Sequence, residues 1–299
     1  MTQGASQTRP QDPTAQPDWL ERLEIHGADH GFHRRIDASH GALYTEDDDT
    51  LIVTFEPRES FTNGPAPHLP MGLNVAGREG WSHLCLYCDG TTFFRSDAVY
   101  AFFDELIDEG FFFGFDRVIF YGAGPCGYAA AAFSVAAPGA TVVLVRPMAT
   151  LDPNVTPWDR RYPALRRTDF TSRYAYAPDM LDAADRVFLI HDPRVPEDAM
   201  HATLFARPEL TRLDCPRLGK APEKDLLQMG VLLPLLRAAG KPGFAPGVFH
   251  DLYRARYGHK PYLRRVERQL DAAKRPGLRN RWARAAESVL SDESGTRST

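Results

Sequence analysis

Short apolar runs alternate with amphipathic segments along most of the chain. Residues 81–88, 117–121, 140–147 and 186–192 form strand-like runs that are rich in apolar and β-branched side chains. After Ser96, apolar residues recur at the helical spacing i, i+3, i+4 and i+7. Runs of this kind are typical of strands buried on both faces, and the helices between them supply the crossovers of a parallel sheet. The pattern therefore predicts an α/β fold.

The sequence also predicts the elements at the two ends of this alternating region. Residues 19–36 indicate a short helix followed by a loop. Residues 41–57 indicate a hairpin, because two strand-like runs flank the polar connection 46–49. Residues 223–240 indicate one last helix of the alternating run.

The character of the chain changes at Lys241. Residues 241–290 have a helical pattern, are rich in Arg and Lys, and retain apolar residues that could form a buried face. These residues are Tyr253, Tyr257, Tyr262, Leu263, Val266, Leu270 and Trp282. We interpret the segment as helices packed on the domain edge, and a basic patch for nucleic acid or an acidic partner is the alternative. The predicted organisation is a disordered leader (1–18), an α/β domain (19–240), this basic helical extension and a disordered tail (291–299).

Composition excludes several classes of protein. The 299 residues are 43% hydrophobic and 25% charged, which is ordinary for a globular protein. A formal net charge of −4 gives no general reason to expect nucleic acid or an anionic membrane as partner. No apolar run approaches the roughly 20 residues of a membrane span, and the leader lacks the apolar centre of a secretory signal. Four cysteines do not predict a disulfide framework. We therefore expect a cytoplasmic protein without a membrane partner.

The strongest candidate chemistry lies in VIFYGAGPCGYAAAAFS, residues 118–134, which has two interpretations. Gly122, Gly124 and Gly127 follow a strand and begin a helix, as the glycines of a dinucleotide-binding site do. Arg146, at the end of the next strand, would then suit the 2′-phosphate of NADP. The alternative is the sharp strand-to-helix elbow that carries a hydrolase nucleophile.

Chain position favours the elbow, because a dinucleotide fingerprint normally follows the first strand, whereas here strands and a full helix precede it. Residues 121–130 resemble, without a gap, the elbow of α/β-hydrolases that read Tyr-Gly-Ser-Ser-Met-Gly-Gly-Tyr-Ala-Ala. The resemblance implies an α/β-hydrolase-like three-layer sandwich, with a mostly parallel sheet and a C-terminal helical extension.

A second resemblance covers most of residues 77–240. GWSHLCLYCDG and TDFTSRYAYAPDM are similar to segments of proteobacterial proteins often labelled phosphoadenosine phosphosulfate reductase. The chain lacks the Ser-Gly-Gly-Lys-Asp-Ser loop and the Cys-Gly-Ile-His segment expected of such reductases. The label therefore has no support from these motifs.

The hydrolase resemblance assigns three triad positions. The nucleophile position falls on Gly124, the acid on Asp192 after a later strand, and the base on Lys220 after the last strand. Serine–histidine hydrolysis needs a hydroxyl and a base that accepts its proton, and glycine offers neither. We therefore predict vestigial triad positions, with Asp192 and Lys220 able to pair across the vacant pocket.

The turn itself remains a candidate ligand-binding element. Its backbone N–H groups would lie at the N-terminus of a helix predicted over 125–137, where anions bind. The residues of this turn are Gly122, Ala123, Gly124, Pro125, Cys126 and Gly127.

The remaining cysteines and histidines suggest no further site. Cys126 lies two residues past the nucleophile position and is expected to be a buried, inert thiol. Cys85 and Cys88 are three apart on a strand and should point to opposite faces. His26 and His30 have a spacing that metals use on helices, but no further ligands complete the set. We expect neither a metal nor a cofactor.

These observations predict a non-catalytic α/β-hydrolase-like binding or interaction protein. Its partner would be a small anionic ligand or another protein, and the resemblance links it to surface-polysaccharide or sulfate-group metabolism. The alternative is an enzyme, either an NADP-dependent oxidoreductase that uses the glycine-rich turn or a phosphoadenosine phosphosulfate reductase.

Overall fold

The computed structural model describes residues 18–63, 68–165, 167–241 and 243–290. The predicted tail and all but Asp18 of the predicted leader lie outside these ranges. The strands within them are β1 (Gly31–Arg35), β2 (His40–Thr45), β3 (Asp48–Pro57), β4 (Trp81–Cys88), β5 (Arg117–Ala123), β6 (Thr141–Val145), β7 (Arg186–His191) and β8 (Leu210–Asp214).

Helices lie before, between and after these strands. In the described ranges they are α1 (Trp19–His30), α2 (Glu59–Thr62), α3 (Gly72–Glu79), α4 (Asp97–Asp108), α5 (Pro125–Phe133), α6 (Pro196–Leu204), α7 (Pro222–Gln228), α8 (Leu232–Ala239), α9 (Pro246–Tyr253), α10 (Lys260–Ala272) and α11 (Pro276–Leu290). None of them is both long enough and apolar enough to cross a bilayer.

The strands form one sheet in the order β1-β2-β4-β3-β5-β6-β7-β8. Strands β3 to β8 are mutually parallel, whereas β2 pairs antiparallel with both of its neighbours. Helices cover both faces, with α4, α5 and α6 on one side and α1, α3, α8 and α9 on the other. This architecture confirms the predicted α/β-hydrolase-like sandwich.

The central strands are apolar because both of their faces are buried. Neighbouring residues of β3, such as Ile52 and Val53, belong to the two different cores. In β5, Phe120 packs on the α5 side and Tyr121 on the α8 side. Side chains alternate across a strand, so a strand covered by helices on both faces needs an apolar residue at nearly every position.

The predicted hairpin over 41–57 is wrong. Strands β2 and β3 both form, but β4 lies between them and pairs with each. All eight residues of β4 are buried, so this strand needs a neighbour on both edges. Gly41 permits the pairing with β4, because a Cβ there would lie 2.3 Å from the Tyr87 hydroxyl oxygen.

Two further elements differ from the sequence prediction. The segment after the first helix was expected to be a loop, but it forms β1, an edge strand whose residues are exposed or half-buried. Edge strands carry polar residues, so their pattern resembles that of a loop. The helix predicted over 223–240 is two helices, because Gly230, with φ of +67°, ends α7 in a left-handed cap.

The basic extension forms α9, α10 and α11. Phe249 and Tyr253 of α9 are buried in the core on the α8 side. Ahead of α10, His259 Nε2 lies 3.0 Å from the Asp225 carboxylate of α7, and Arg265 donates to the other oxygen of that carboxylate at 2.5 Å. Tyr257 departs from the expected buried face, since half of its surface is exposed.

We predict that Asp225→Asn destabilises the protein by about 1–3 kcal/mol, because it leaves two hydrogen-bonding groups poorly satisfied in a nearly buried site. Chemical denaturation would measure the free energy of unfolding. The matched control is Asp271→Asn, whose exposed ion pair with Arg279 should contribute less than about 1 kcal/mol. Equal effects of the two substitutions would show that the contact between α7 and α10 contributes little.

Candidate functional site

The glycine-rich turn lies at the point of the sheet where the connections between strands begin to run in the opposite direction. From β3 the chain passes through α3 to β4 on one side, and from β5 it passes through α5 to β6 on the other side. The carboxyl ends of β3 and β5 therefore flank a topological switch point, which is where ligands bind in open α/β sheets. The turn between β5 and α5 lies at this crevice.

Close contact between the end of β5 and the first turn of α5 explains two of the three glycines. A Cβ on Gly122 would lie 2.1 Å from the carbonyl oxygen of Cys126, so no side chain fits there. A Cβ on Gly127 would lie 3.1 Å from the carbonyl oxygen of Gly122. Backbone packing therefore requires glycine at position 122 and crowds a side chain at position 127, so these two glycines do not by themselves indicate a dinucleotide.

Gly124 lies at the corner of the turn with φ of +58° and ψ of −124°. This conformation is strained for residues that carry a side chain, and it is the sharp bend that an elbow needs. The sheet order also differs from the 3-2-1-4-5-6 order of a dinucleotide-binding fold, in which the fingerprint follows the first strand.

Arg146 turns back over the elbow. Its Nη1 donates to the carbonyl oxygen of Lys220 at 2.8 Å, and its Nη2 lies 3.2 Å from the position that a Cβ on Gly124 would take. The guanidinium group thus lies against the position where the side chain of a nucleophile would begin. Arg146 itself has a positive φ of +51°, so its backbone also bends sharply at this point.

Pro125 changes the turn in a way that the sequence analysis did not consider. The oxyanion hole of an α/β-hydrolase uses the backbone N–H of the residue after the nucleophile. Proline has no N–H, so this donor is missing here. The helix therefore begins with one N–H donor fewer than expected. The α-helix is also shorter than the predicted range 125–137, because α5 ends at Phe133 and a 3₁₀ turn over Ser134–Ala136 follows.

Asp192 and Lys220 are close to the elbow but do not pair with each other. Asp192 is nearly buried, and its carboxylate accepts the backbone N–H groups of Gly219 at 2.7 Å and Arg194 at 3.0 Å. Lys220 is exposed and lines the same crevice as Gly124. The predicted ion pair is wrong, because backbone amides of the loop after β8 and of the loop after β7 already satisfy Asp192.

The crevice has a volume of about 290 Å³ and a mostly cationic polar lining. Arg146, Lys220 and Lys224 contribute the positive charges. The carboxyl group in the lining is Glu223, which accepts a hydrogen bond of 2.6 Å from the buried Tyr121 hydroxyl. Burial raises the pKa of Glu223, while the hydrogen bond from Tyr121 and the charge of Arg146 act in the opposite direction.

The cysteines show one expected and one unexpected arrangement. Cys85 and Cys88 belong to cores on opposite faces of the sheet, as predicted. The Cys126 side chain is nearly buried, and it belongs to the same core as Cys88, which the sequence did not predict. The hydrogen bond to Cys88 and burial both raise the pKa of Cys126, so this thiol is not poised as a nucleophile.

Glu56, His83 and Cys85 form a buried group whose metal-ligating atoms come within 4.8 Å of one another. The Thr54 hydroxyl donates to Glu56 at 2.9 Å and lies 2.9 Å from His83 Nε2, so it occupies the space between them. Glu56 also accepts the backbone N–H groups of Met71 and Gly72 at the start of α3. The group is therefore linked by hydrogen bonds and supports the helix beside the crevice.

The two helical histidines do not form a comparable group. The rings of His26 and His30 lie 4.7 Å apart, and His26 Nε2 is 3.0 Å from the Thr45 hydroxyl. At Gly27 the helix α1 packs directly on β1, because a Cβ there would lie 2.4 Å from the backbone nitrogen of His33.

We predict that Gly124→Ser gains no esterase activity, because the described residues that line the crevice include no histidine and the Arg146 guanidinium crowds the new side chain. The substitution should also reduce the free energy of unfolding by about 1–3 kcal/mol, since the backbone conformation is strained for serine. Ester hydrolysis and chemical denaturation would measure the two effects. Gly77→Ser in α3 is the control, because a Cβ there meets no atom within 4 Å. Measurable ester turnover in Gly124→Ser would contradict the prediction.

We predict that His83 makes the protein sensitive to acid. Burial lowers the pKa of His83 from 6.5 to about 3, so between these values the unfolded chain binds a proton that the folded chain excludes. Its contribution to the free energy of unfolding should therefore fall by up to about 1.4 kcal/mol per pH unit below pH 6.5. Denaturation from pH 7 to about 4 should show a shallower pH dependence for His83→Asn than for the wild type. Parallel curves would contradict this, and His30→Asn is the exposed control.

No protein-family model matches the chain, and no curated protein sequence matches it. Three solved structures illustrate its similarities. Est1E from Butyrivibrio proteoclasticus is 12% identical over 69% of this chain and 95% of its own, with a TM-score of 0.43. The capsule O-acetyltransferase of Neisseria meningitidis serogroup A is 10% identical over 66% and 92%, with a TM-score of 0.40.

The third structure is the glycosylation-associated protein (Gap123) complex from Streptococcus agalactiae. It is 13% identical over 64% of this chain, with a TM-score of 0.44, and the chain spans only 44% of its length. Similarity at this level concerns the fold and does not assign an activity. The strand order and the elbow at the switch point give this protein an α/β-hydrolase-like fold.

Proposed function

We propose that the protein is a non-catalytic α/β-hydrolase-like binding protein, whose elbow crevice holds a small anionic ligand. The observation that carries the proposal is the arrangement at Gly124. The residue has the backbone conformation of an elbow but carries no side chain, and the Arg146 guanidinium lies 3.2 Å from the position where a nucleophile side chain would begin. A cationic donor in that position favours binding an anion over attacking an ester.

The chemistry of serine hydrolases would need three groups that this site lacks. Gly124 supplies no hydroxyl, Pro125 supplies no N–H for an oxyanion, and Lys220 stands in the loop that would carry the base. Cys126 does not replace the nucleophile, because its thiol is nearly buried and its pKa is raised by the bond to Cys88 and by burial. These residues support Gly124, Asp192 and Lys220 as vestigial triad positions.

The charge and size of the crevice suggest the class of ligand. The Nη1 group of Arg146 donates to the carbonyl oxygen of Lys220, which orients the guanidinium. Its remaining N–H groups can bind an oxyanion. Lys220 and Lys224 line the same crevice and add two further positive charges. A volume of about 290 Å³ is near the lower limit for small-molecule sites, which favours a small ligand such as a sulfate or phosphate group.

The cellular role follows from resemblance and not from geometry. We place the protein in the cytoplasm and in surface-polysaccharide or sulfate-group metabolism, where it would bind a sulfated or phosphorylated compound or another protein. The glycosylation-associated complex and the capsule O-acetyltransferase are named for related processes, but their likeness to this chain is one of fold.

We predict that inorganic sulfate stabilises the wild-type protein through Arg146. Thermal unfolding should be followed against sulfate concentration, with sodium chloride at equal ionic strength and Arg254→Ala, an exposed arginine outside the crevice, as controls. Loss of a charge-assisted hydrogen bond costs about 1.5–3 kcal/mol, so Arg146→Ala should weaken the apparent sulfate affinity at least about tenfold. The comparison between variants separates binding from the general stabilising effect of sulfate.

Two results would overturn the proposal. Micromolar NADP binding that is lost in Arg146→Ala, without any response to sulfate, would favour the oxidoreductase alternative. Turnover of esters by the wild type, with labelling by a fluorophosphonate, would show that a nucleophile is present. If Cys126→Ala abolished such turnover, the nucleophile would lie two residues from its assigned position.

A further inference from the structure

We infer that Glu223 makes the elbow crevice selective for hydrogen phosphate over sulfate. The inference rests on the proposed function, because it names the anion that the same site would bind. Glu223 lies in the first turn of α7 and lines the crevice together with Arg146, Lys220 and Lys224. A carboxylate repels most oxyanions, so its position among three cations changes which anion the crevice can hold.

A hydrogen bond from the core of the sheet orients the Glu223 carboxyl group in the wall of the crevice. The Tyr121 hydroxyl donates to Glu223 Oε1 at 2.6 Å, and Tyr121 itself is fully buried in β5. An ionised carboxyl group can accept about four hydrogen bonds, so Glu223 keeps acceptor capacity for a ligand. Its side chain is half-buried and lines the crevice, so a ligand there can reach it.

The three cationic side chains of the crevice offer only donors. Arginine and lysine side chains have no acceptor, so Arg146, Lys220 and Lys224 can bind only the unprotonated oxygen atoms of a ligand. The bond from Arg146 Nη1 to the carbonyl oxygen of Lys220 orients the guanidinium for this contact. The lining therefore combines donors for oxyanion oxygens with one carboxylate that can accept from a ligand O–H group.

Hydrogen phosphate matches this combination, whereas sulfate does not. At about pH 8 both are tetrahedral dianions of similar size, so the cations attract them to a similar extent. Hydrogen phosphate carries one P–O–H group that can donate to Glu223, but every oxygen of sulfate is an acceptor. A sulfate oxygen would therefore face the carboxylate without a hydrogen bond, which weakens binding. The crevice volume of about 290 Å³ keeps an anion that is bound to Arg146 close to Glu223.

The experiment compares three anions on the full-length protein by equilibrium dialysis at about pH 8 and constant ionic strength. This pH favours the ionised form of Glu223, whose pKa is raised by burial. Inorganic phosphate should bind to the wild type at least about tenfold more tightly than sulfate, as one hydrogen bond to a charged group predicts. Methyl phosphate distinguishes free phosphate from a phosphate ester, because a second pKa of about 6 leaves its dianion without an O–H group. It should bind as weakly as sulfate.

Glu223→Gln keeps the size of the side chain and replaces one carboxylate oxygen by an amide group that can donate. The variant should bind sulfate more tightly and phosphate less tightly than the wild type, so the preference for phosphate should fall at least about tenfold. Glu209→Gln, at an exposed glutamate outside the crevice, is the matched control and should keep the preference. The comparison of anions on the wild type tests the inference even if Glu223→Gln does not fold.

The inference is overturned if the wild type binds sulfate or methyl phosphate as tightly as inorganic phosphate, or if a folded Glu223→Gln keeps the wild-type preference. Anion binding that is still lost in Arg146→Ala would then support the proposed function without a role for Glu223. Failure of all three anions to bind would instead overturn the proposed function, and the selectivity with it.

Discussion

The close crossing of the backbone at the end of β5 is the constraint on which the site depends. The carbonyl oxygen of Cys126 lies where a side chain of Gly122 would begin, so the strand and the helix touch through their main chains. This contact sets the sharp bend at Gly124 and directs the start of α5 toward the switch point between β3 and β5. A glycine pattern that resembles a cofactor fingerprint therefore follows from packing alone.

The loop after β8 is the second support of the crevice, and it is held from both sides. Asp192 accepts the N–H of Gly219, while Arg265 of α10 donates to the carbonyl oxygen of Arg217 at 2.9 Å. The basic extension is thus connected to the loop that carries Lys220. Its arginines partly serve internal contacts, which leaves fewer of them for an external acidic partner than their number in the sequence suggests.

Much of the fold could be predicted because it is encoded in local patterns. The central strands and the Ser96-capped helix α4 follow from runs and spacing, and the elbow follows from its motif. The pairing of β2 with β4 could not be predicted, because contacts between distant strands leave no local signal. Strand β1 has the polar composition of an edge, and Gly230 interrupts a segment whose apolar spacing continues across it.

The site itself was less predictable than the fold. The hydrolase resemblance assigns Gly124, Asp192 and Lys220 from their places after the strands. Gly124 and Lys220 line one crevice, and Asp192 accepts the N–H of Gly219 beside Lys220. The direction of the Arg146 side chain depends on the distant loop that carries Lys220, so no local pattern in the sequence predicts it. Pro125 was visible in the sequence, and the missing N–H could have been inferred from it.

Pro125, which follows the elbow residue Gly124, also limits how this protein could evolve. A serine at position 124 would still lack the oxyanion donor while Pro125 remains, and it would still lack a base while Lys220 remains. If the protein is the binding protein proposed above, no single substitution would supply the hydroxyl, the oxyanion donor and the base together, and a change at Gly124 would also cost stability. Conversion to a hydrolase would then require several substitutions at once, with no gain in activity after the first of them to favour the next.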